Sequence, residues 1–139
     1  MAKAWQGMNW LRQEKRAAIY ERDGRCCTAC GRGTADGEIL SLDHLIPRSV
    51  CSAIAEIDPS TEIVIDGELV IRADRPNVAH NLVTMCKTCN SSRGARSWTE
   101  FYPGGAQARV RHLIRQPLDL ELGKRIVASM NGSEVESAR

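Results

Sequence analysis

The sequence predicts a small α+β domain held together by zinc, with helices at both ends and a β-hairpin inserted in its middle. Three observations carry that prediction. Two Cys-x-x-Cys knuckles, Cys27-Thr28-Ala29-Cys30 and Cys86-Lys87-Thr88-Cys89, offer four sulfur ligands at the spacing of a structural Zn²⁺ site. Apolar residues recur at helical spacing near both ends of the chain. Two β-branched runs flank Asp66-Gly67, the strongest short-range hairpin signal a sequence offers.

The chain has 139 residues, which fits one domain spanning 1–139. Its aromatic content is only 4%, so the expected core is aliphatic and thin, and a thin core favours a metal staple. The net charge of +2 hides an uneven distribution. Lys and Arg crowd the first 32 residues and the stretch after Cys89, whereas Asp36, Glu38, Glu56, Asp58, Glu62, Asp66, Glu68 and Asp74 lie between. Two basic flanks suit a polyanion. No run of about 18 apolar residues and no charged-then-apolar leader is present, so no membrane span or secretory signal is expected and a cytoplasmic location is. In a reducing compartment the paired cysteines read as a metal site rather than disulfides, leaving two of the six over.

Taken in order, residues 1–8 are expected to be a loose terminus. A helix over 9–23 carries Trp10, Ala17, Ala18 and Ile19 on one side and a basic opposite side, and ends at Asp23-Gly24. The core spans 24–95. Cys26 competes with Cys27 for the first knuckle, because Cys-x₃-Cys and Cys-x₂-Cys both fit zinc; two intervening residues match the second knuckle and favour Cys27. A short strand from Ile39 to Asp43 delivers Asp43 and His44 to its end, and Pro47 stops it. Residues 49–79 read as an insertion, with a turn at Pro59-Ser60 and hairpin strands Glu62 to Ile65 and Glu68 to Arg72. Its role is open between shielding the core, self-association and reaching a DNA groove; its acidity disfavours the last. Leu82 to Met85 returns to the zinc site, and Asn90 begins a helix running to about Ser97. C-terminal helices occupy 105–131. The first is basic, Ala106 to Arg115, and Pro117 ends it; the second runs from Leu120 to Met130, capped by Asp119 and closed by Asn131-Gly132. A disordered tail is expected over 132–139.

Arg22-Asp23-Gly24 ahead of Cys27-x-x-Cys30-Gly31, then Asp43-His44-x-Ile46-Pro47, Asn81-Leu82-Val83 and Cys86-x-x-Cys89-Asn90 together resemble an HNH endonuclease of the His-Me finger (ββα-metal) group. The resemblance covers residues 17–95 with a break in the middle. It implies a ββα-metal core, a DNA substrate and a catalytic divalent ion, Mg²⁺ or Mn²⁺, distinct from the structural Zn²⁺. Such small proteins occur in phage genomes, in restriction and in mobile elements, so a phage-encoded enzyme in the host cytoplasm is one context it implies. Two departures stand out: the last motif letter is Asn90 rather than His, and the segment from Pro47 to Asn81 is long. The resemblance assigns His44 as general base and Asn81 as the residue fixing the loop that bears it.

Elementary chemistry is consistent with those roles. An imidazole with a pKa of about 6.5 is mostly neutral at working pH and accepts a proton from water. Asp43, on the opposite face of an extended strand, and Asn90, at a helix start, offer hard oxygen ligands to Mg²⁺. Four thiolates close a tetrahedral zinc site, so Cys27, Cys30, Cys86 and Cys89 hold shape and leave the chemistry to others. Arg93 and Arg96, following Asn90, and Arg109 and Arg111, on the basic helix, are candidate phosphate contacts. His80 reads as a structural histidine, a phosphate contact or a substitute ligand, and His112 as a surface residue. The alternative function is a non-catalytic zinc-ribbon module that binds nucleic acid or protein. A redox role is a third, weaker reading, since neither knuckle sits in a βαβ pattern.

Overall fold

The computed structural model describes residues 11–138, with side chains for 11–130. The expected loose terminus at 1–8 and helix start at Asn9-Trp10 lie outside the described residues. What is described is an α+β fold with six α-helices and two two-stranded antiparallel sheets.

Helix α1, Gln13–Arg22, buries Ala18 and Ile19 and ends on Asp23. Arg22 and Asp23 form a buried ion pair, with 3% and 0% of their side chains exposed. Arg22 donates onward from Nη1 to the Ala79 carbonyl (2.9 Å) and from Nη2 to the Leu82 carbonyl (2.6 Å), and Asp23 Oδ2 accepts the Thr84 N–H at 2.8 Å. A buried pair satisfied on both sides in this way fixes α1 against the strand that begins at Leu82; removing one partner typically costs about 3–5 kcal/mol.

Strand β1, Leu40–His44, is followed by α2, Arg48–Ile57, then the hairpin strands β2, Glu62–Asp66, and β3, Leu69–Arg72. β4, Leu82–Cys86, then pairs antiparallel with β1, placing Leu40 opposite Cys86 and His44 opposite Leu82. Every residue of β4 is buried. Its alternation splits the core in two: Leu82 joins Leu42, Ile19 and Leu11 beneath α1, while Val83 and Met85 join Leu45, Ile71, Trp98 and Tyr102 on the other face. Fully burying side chains of this size stabilises by about 1.5–3 kcal/mol each.

Helix α3, Lys87–Arg93, stops at Gly94, which takes φ +57°. A single turn, α4, Trp98–Phe101, follows behind a capping box in which Ser97 Oγ accepts the Glu100 N–H and Glu100 accepts the Ser97 N–H. Helix α5, Gly104–Ile114, buries Ala106, Val110 and Ile114. Helix α6, Leu120–Ala138, starts where Asp119 Oδ1 accepts the Leu122 N–H at 2.9 Å, and it packs along α1.

Several expectations change. The insertion holds a helix, α2, directly after Pro47, because a proline that ends a strand also fits the entry to a helix. The hairpin turns at Gly67-Glu68, one residue later than expected, with an irregularity between Val64 and Asp66 absorbing the shift. The helix bearing Asn90 starts at Lys87, so Asn90 lies inside it; the Cys86 thiol caps its first turn. It also ends at Gly94 rather than Ser97. Helix α6 runs past Asn131-Gly132 to Ala138, replacing the expected tail as far as the backbone is described, since one glycine costs a helix only about 1 kcal/mol. The core is not purely aliphatic: Trp98 and Tyr102 lie inside it, with ring centroids 6.3 Å apart.

Candidate functional site

The four paired cysteines come together. One sulfur from each of Cys27, Cys30, Cys86 and Cys89 lies within 4.8 Å of all the others. Cys30 and Cys86 Sγ are 3.9 Å apart, close to the roughly 3.8 Å separating sulfurs held at about 2.3 Å around one tetrahedral ion. Each knuckle folds so that its first thiol accepts the N–H three residues on, Cys30 N to Cys27 at 3.5 Å and Cys89 N to Cys86 at 3.4 Å. Burial and the neighbouring sulfurs raise the Cys86 and Cys89 thiols. A cation is what allows such a cluster to carry thiolates together, so these four cysteines could hold a structural metal such as zinc. Cys26 is left outside, its thiol donating to the Gly24 carbonyl at 3.2 Å, and Cys51 is buried on α2.

The Asp43-His44 pair lies at the far end of β1 from Leu40, which is opposite Cys86. Expected on opposite strand faces, both residues nonetheless reach the wall of one open cleft of about 220 Å³, which Arg48, Asn90, Arg93 and Gly94 also line. Their side chains diverge toward different partners. His44 donates from Nε2 to Oδ1 of Asn77 at 2.8 Å. Burial lowers the His44 pKa, the Asn77 bond opposes it, and the Arg48 and Arg93 charges reinforce the lowering, so the ring stays neutral at working pH. Asp43 is ion-paired with Arg93; burial nevertheless raises its carboxyl, with Arg93 pulling the other way.

Asn90 comes to the same cleft from α3. Its amide nitrogen donates to Ser41 Oγ at 2.9 Å and to the Leu42 carbonyl at 3.5 Å, so the amide oxygen is the group it can offer the cleft. Asn81 is fully buried and reads two loops at once. Its Oδ1 accepts the Ile46 N–H at 2.8 Å, while Nδ2 donates to the carbonyls of Ile46 (3.2 Å) and Pro76 (3.0 Å). The segment just after His44 is thereby tied to the segment bearing Asn77.

Of the four arginines named as candidate phosphate contacts, Arg93 alone turns inward, while Arg96 and Arg109 are exposed and Arg111 is half-buried. Arg93, expected as a phosphate contact, is only 3% exposed, because the short α3 turns it back on the end of β1. There it meets Asp43 Oδ2 and donates to the carbonyls of His44 (2.9 Å), Leu45 (2.9 Å) and Arg96 (3.0 Å). Arg96 donates to the Ser92 and Arg93 carbonyls and lies over the Phe101 ring. Arg109 donates to the Thr28 carbonyl at 2.6 Å, and Arg111 pairs with Asp66 at 3.1 Å. His80 links to the hairpin, donating to the Val70 carbonyl at 2.7 Å, and His112 is exposed.

Sequence reasoning passed over Asn77 and the internal role of Arg93. The only available signal for Asn77 was Pro76, which directs the preceding chain away from helix, and that signal names no partner. The cleft brings a neutral imidazole, a carboxyl group and an amide oxygen to one surface beside two cationic side chains. Such a set can take a proton from water and hold a hard cation or an anionic ester. Comparison of the chain with protein-family models, with curated proteins and with solved structures gives no significant match in any of the three.

Proposed function

We propose that this chain is an HNH endonuclease with a ββα-metal core, hydrolysing DNA phosphodiester bonds. The observation that carries the reading is the meeting of Asp43, His44 and Asn90, from β1 and α3, in one cleft on a frame joined through the four-cysteine cluster. In this reading β1, β4 and α3 are the two strands and the helix of that core. Asp43 and Asn90 would hold the divalent ion through a carboxylate and an amide oxygen, a hard-donor set that fits Mg²⁺ or Mn²⁺. When bound, that ion supplies charge relief to a phosphate oxygen and to the departing 3′ oxygen. His44, held neutral by burial, takes the proton from the attacking water at Nδ1, since Nε2 carries the proton given to Asn77. Asn81 fixes the loop after His44 and so the direction of the ring. Cys27, Cys30, Cys86 and Cys89 would hold a zinc ion that keeps the frame in shape.

The alternative of a non-catalytic zinc module draws on one observation: Asp43 is already engaged by Arg93, as a structural aspartate would be. A plasmid-cleavage assay with and without Mg²⁺ or Mn²⁺ separates the two. Wild type should nick or cut, His44→Ala should be slower by about 10²–10⁴-fold, and Asp43→Ala and Asn90→Leu should lose ion-dependent cleavage with zinc content unchanged. If wild type binds DNA but cuts neither plasmid nor single-stranded substrates with either ion, the binding module is the correct reading.

A further inference from the structure

We propose that Asn77, supplied by the long segment between β1 and β4, is a positioning residue that sets the tautomer and direction of His44. The inference rests on the nuclease reading and assigns a task to a segment whose role the sequence leaves open.

The contact is a side-chain hydrogen bond between residues far apart in the chain, from His44 Nε2 to Asn77 Oδ1 at 2.8 Å. A ring nitrogen that donates to a fixed acceptor leaves the other nitrogen with the lone pair, so Nδ1 becomes the atom that accepts a proton. Rotation of the imidazole about its Cβ bond would break that bond. The acceptor is itself held from two sides. Asn81 Nδ2 grips the carbonyl of Pro76, the residue immediately before, at 3.0 Å, and Lys15 Nζ on α1 donates to the Asn77 carbonyl at 3.1 Å. Because Asn81 also holds both backbone groups of Ile46, the same buried amide spaces His44 from its partner. A loop residue anchored by a helix, a buried amide and its own side chain is pre-organised rather than recruited on binding.

The test uses the full-length zinc-loaded protein with Asn77→Leu and Asn77→Asp. The leucine keeps the branching at Cγ and removes the acceptor; the aspartate keeps an acceptor oxygen. Plasmid cleavage by Asn77→Leu should lose about 10- to 100-fold in kcat with KM unchanged, the usual effect of deleting a group that orients a functional histidine. Asn77→Asp should recover most of that loss. A second readout is independent of turnover: wild type should show a solvent-protected imidazole N–H proton correlated to His44 Nε2 in ¹⁵N NMR, absent in His44→Ala and in Asn77→Leu. If wild type cuts and Asn77→Leu cuts equally fast, or keeps the protected proton, the positioning role is overturned while the nuclease reading stands. If wild type cuts nothing, the nuclease reading falls and the catalytic role of Asn77 with it.

Discussion

Arg93 satisfies four acceptors with one planar head, the Asp43 carboxylate and three backbone carbonyls that come from both sides of the cleft. Lysine has the charge without the fork, so Arg93→Lys should recover only part of what Arg93→Ala loses. We expect Arg93→Ala to destabilise by about 3–5 kcal/mol in urea denaturation of the zinc-loaded protein, since it strands a buried carboxyl. A variant as stable as wild type would mean that Asp43 is neutral without its partner. His44 yields a pH prediction with a definite sign. Its pKa is lowered, so the neutral base persists below the ordinary value of 6.5, and the acid limb of the cleavage profile should lie on the acid side of that value. A midpoint above 6.5 would contradict the burial of the ring. At this scale the sequence was legible in which side chains meet: the four cysteines converge, and Asp43, His44 and Asn90 line one cleft. Arg93 and Asn77 were not, because their partners are set by where a helix stops and where a long loop returns.

Among the elements, the inserted hairpin is seated in the core by Ile65 and Ile71 and fastened at its turn by charge. Asp66, at the turn of β2 and β3, pairs with Arg115, which closes α5, at 2.7 Å and with Arg111 on α5 at 3.1 Å. Arg115 first, and then Arg111, hold the Asp66 carboxyl below the usual carboxylate range. A depressed carboxylate stabilises the fold above its unfolded pKa of about 4, and the contribution is lost as pH falls through the depressed native value. The difference in melting temperature between wild type and Asp66→Asn should therefore be present at pH 6 and vanish on acidification; added salt should shrink it. A difference that persisted at low pH would place its origin in packing. The joint between α1 and α6 is of another kind. A Cβ on Gly123 would lie 2.1 Å from the Glu14 carbonyl oxygen and 3.3 Å from the Ala18 Cβ, so only glycine allows the two backbones to approach. Gly123→Ala should cost about 1–3 kcal/mol by chemical denaturation although alanine is the better helix former. The hairpin and the terminal helices could be read from periodicity and turn residues. Helix α2 was legible in principle, since Val50, Cys51, Ile54 and Ile57 recur at helical spacing; the hairpin signal downstream overshadowed it, and in the fold only Cys51 of its ten residues is buried.

For the molecule as a whole, a metal held by the four cysteines would decide whether there is a fold. Apparent zinc-binding energies of about 10–16 kcal/mol in small zinc domains match or exceed the 5–15 kcal/mol net stability of a typical domain. Elemental analysis after dialysis should find one zinc per chain. Cys86→Ser should be unfolded, whereas Cys26→Ser and Cys51→Ala should keep their zinc; a zinc-free preparation with full stability would remove the metal from the account. The same arrangement would also set the time course of folding. β1 finds β4 only after the whole of α2 and the hairpin have been looped out between them, and closing so long a loop makes non-local pairing slow. The two cysteine knuckles flank that strand pair, so an ion bridging them closes nearly the same loop before any strand has paired. In stopped-flow refolding the zinc-loaded chain should regain its tryptophan signal faster than the metal-free chain, and the gain should disappear when either knuckle is mutated, making the ion a nucleus for folding as well as a staple.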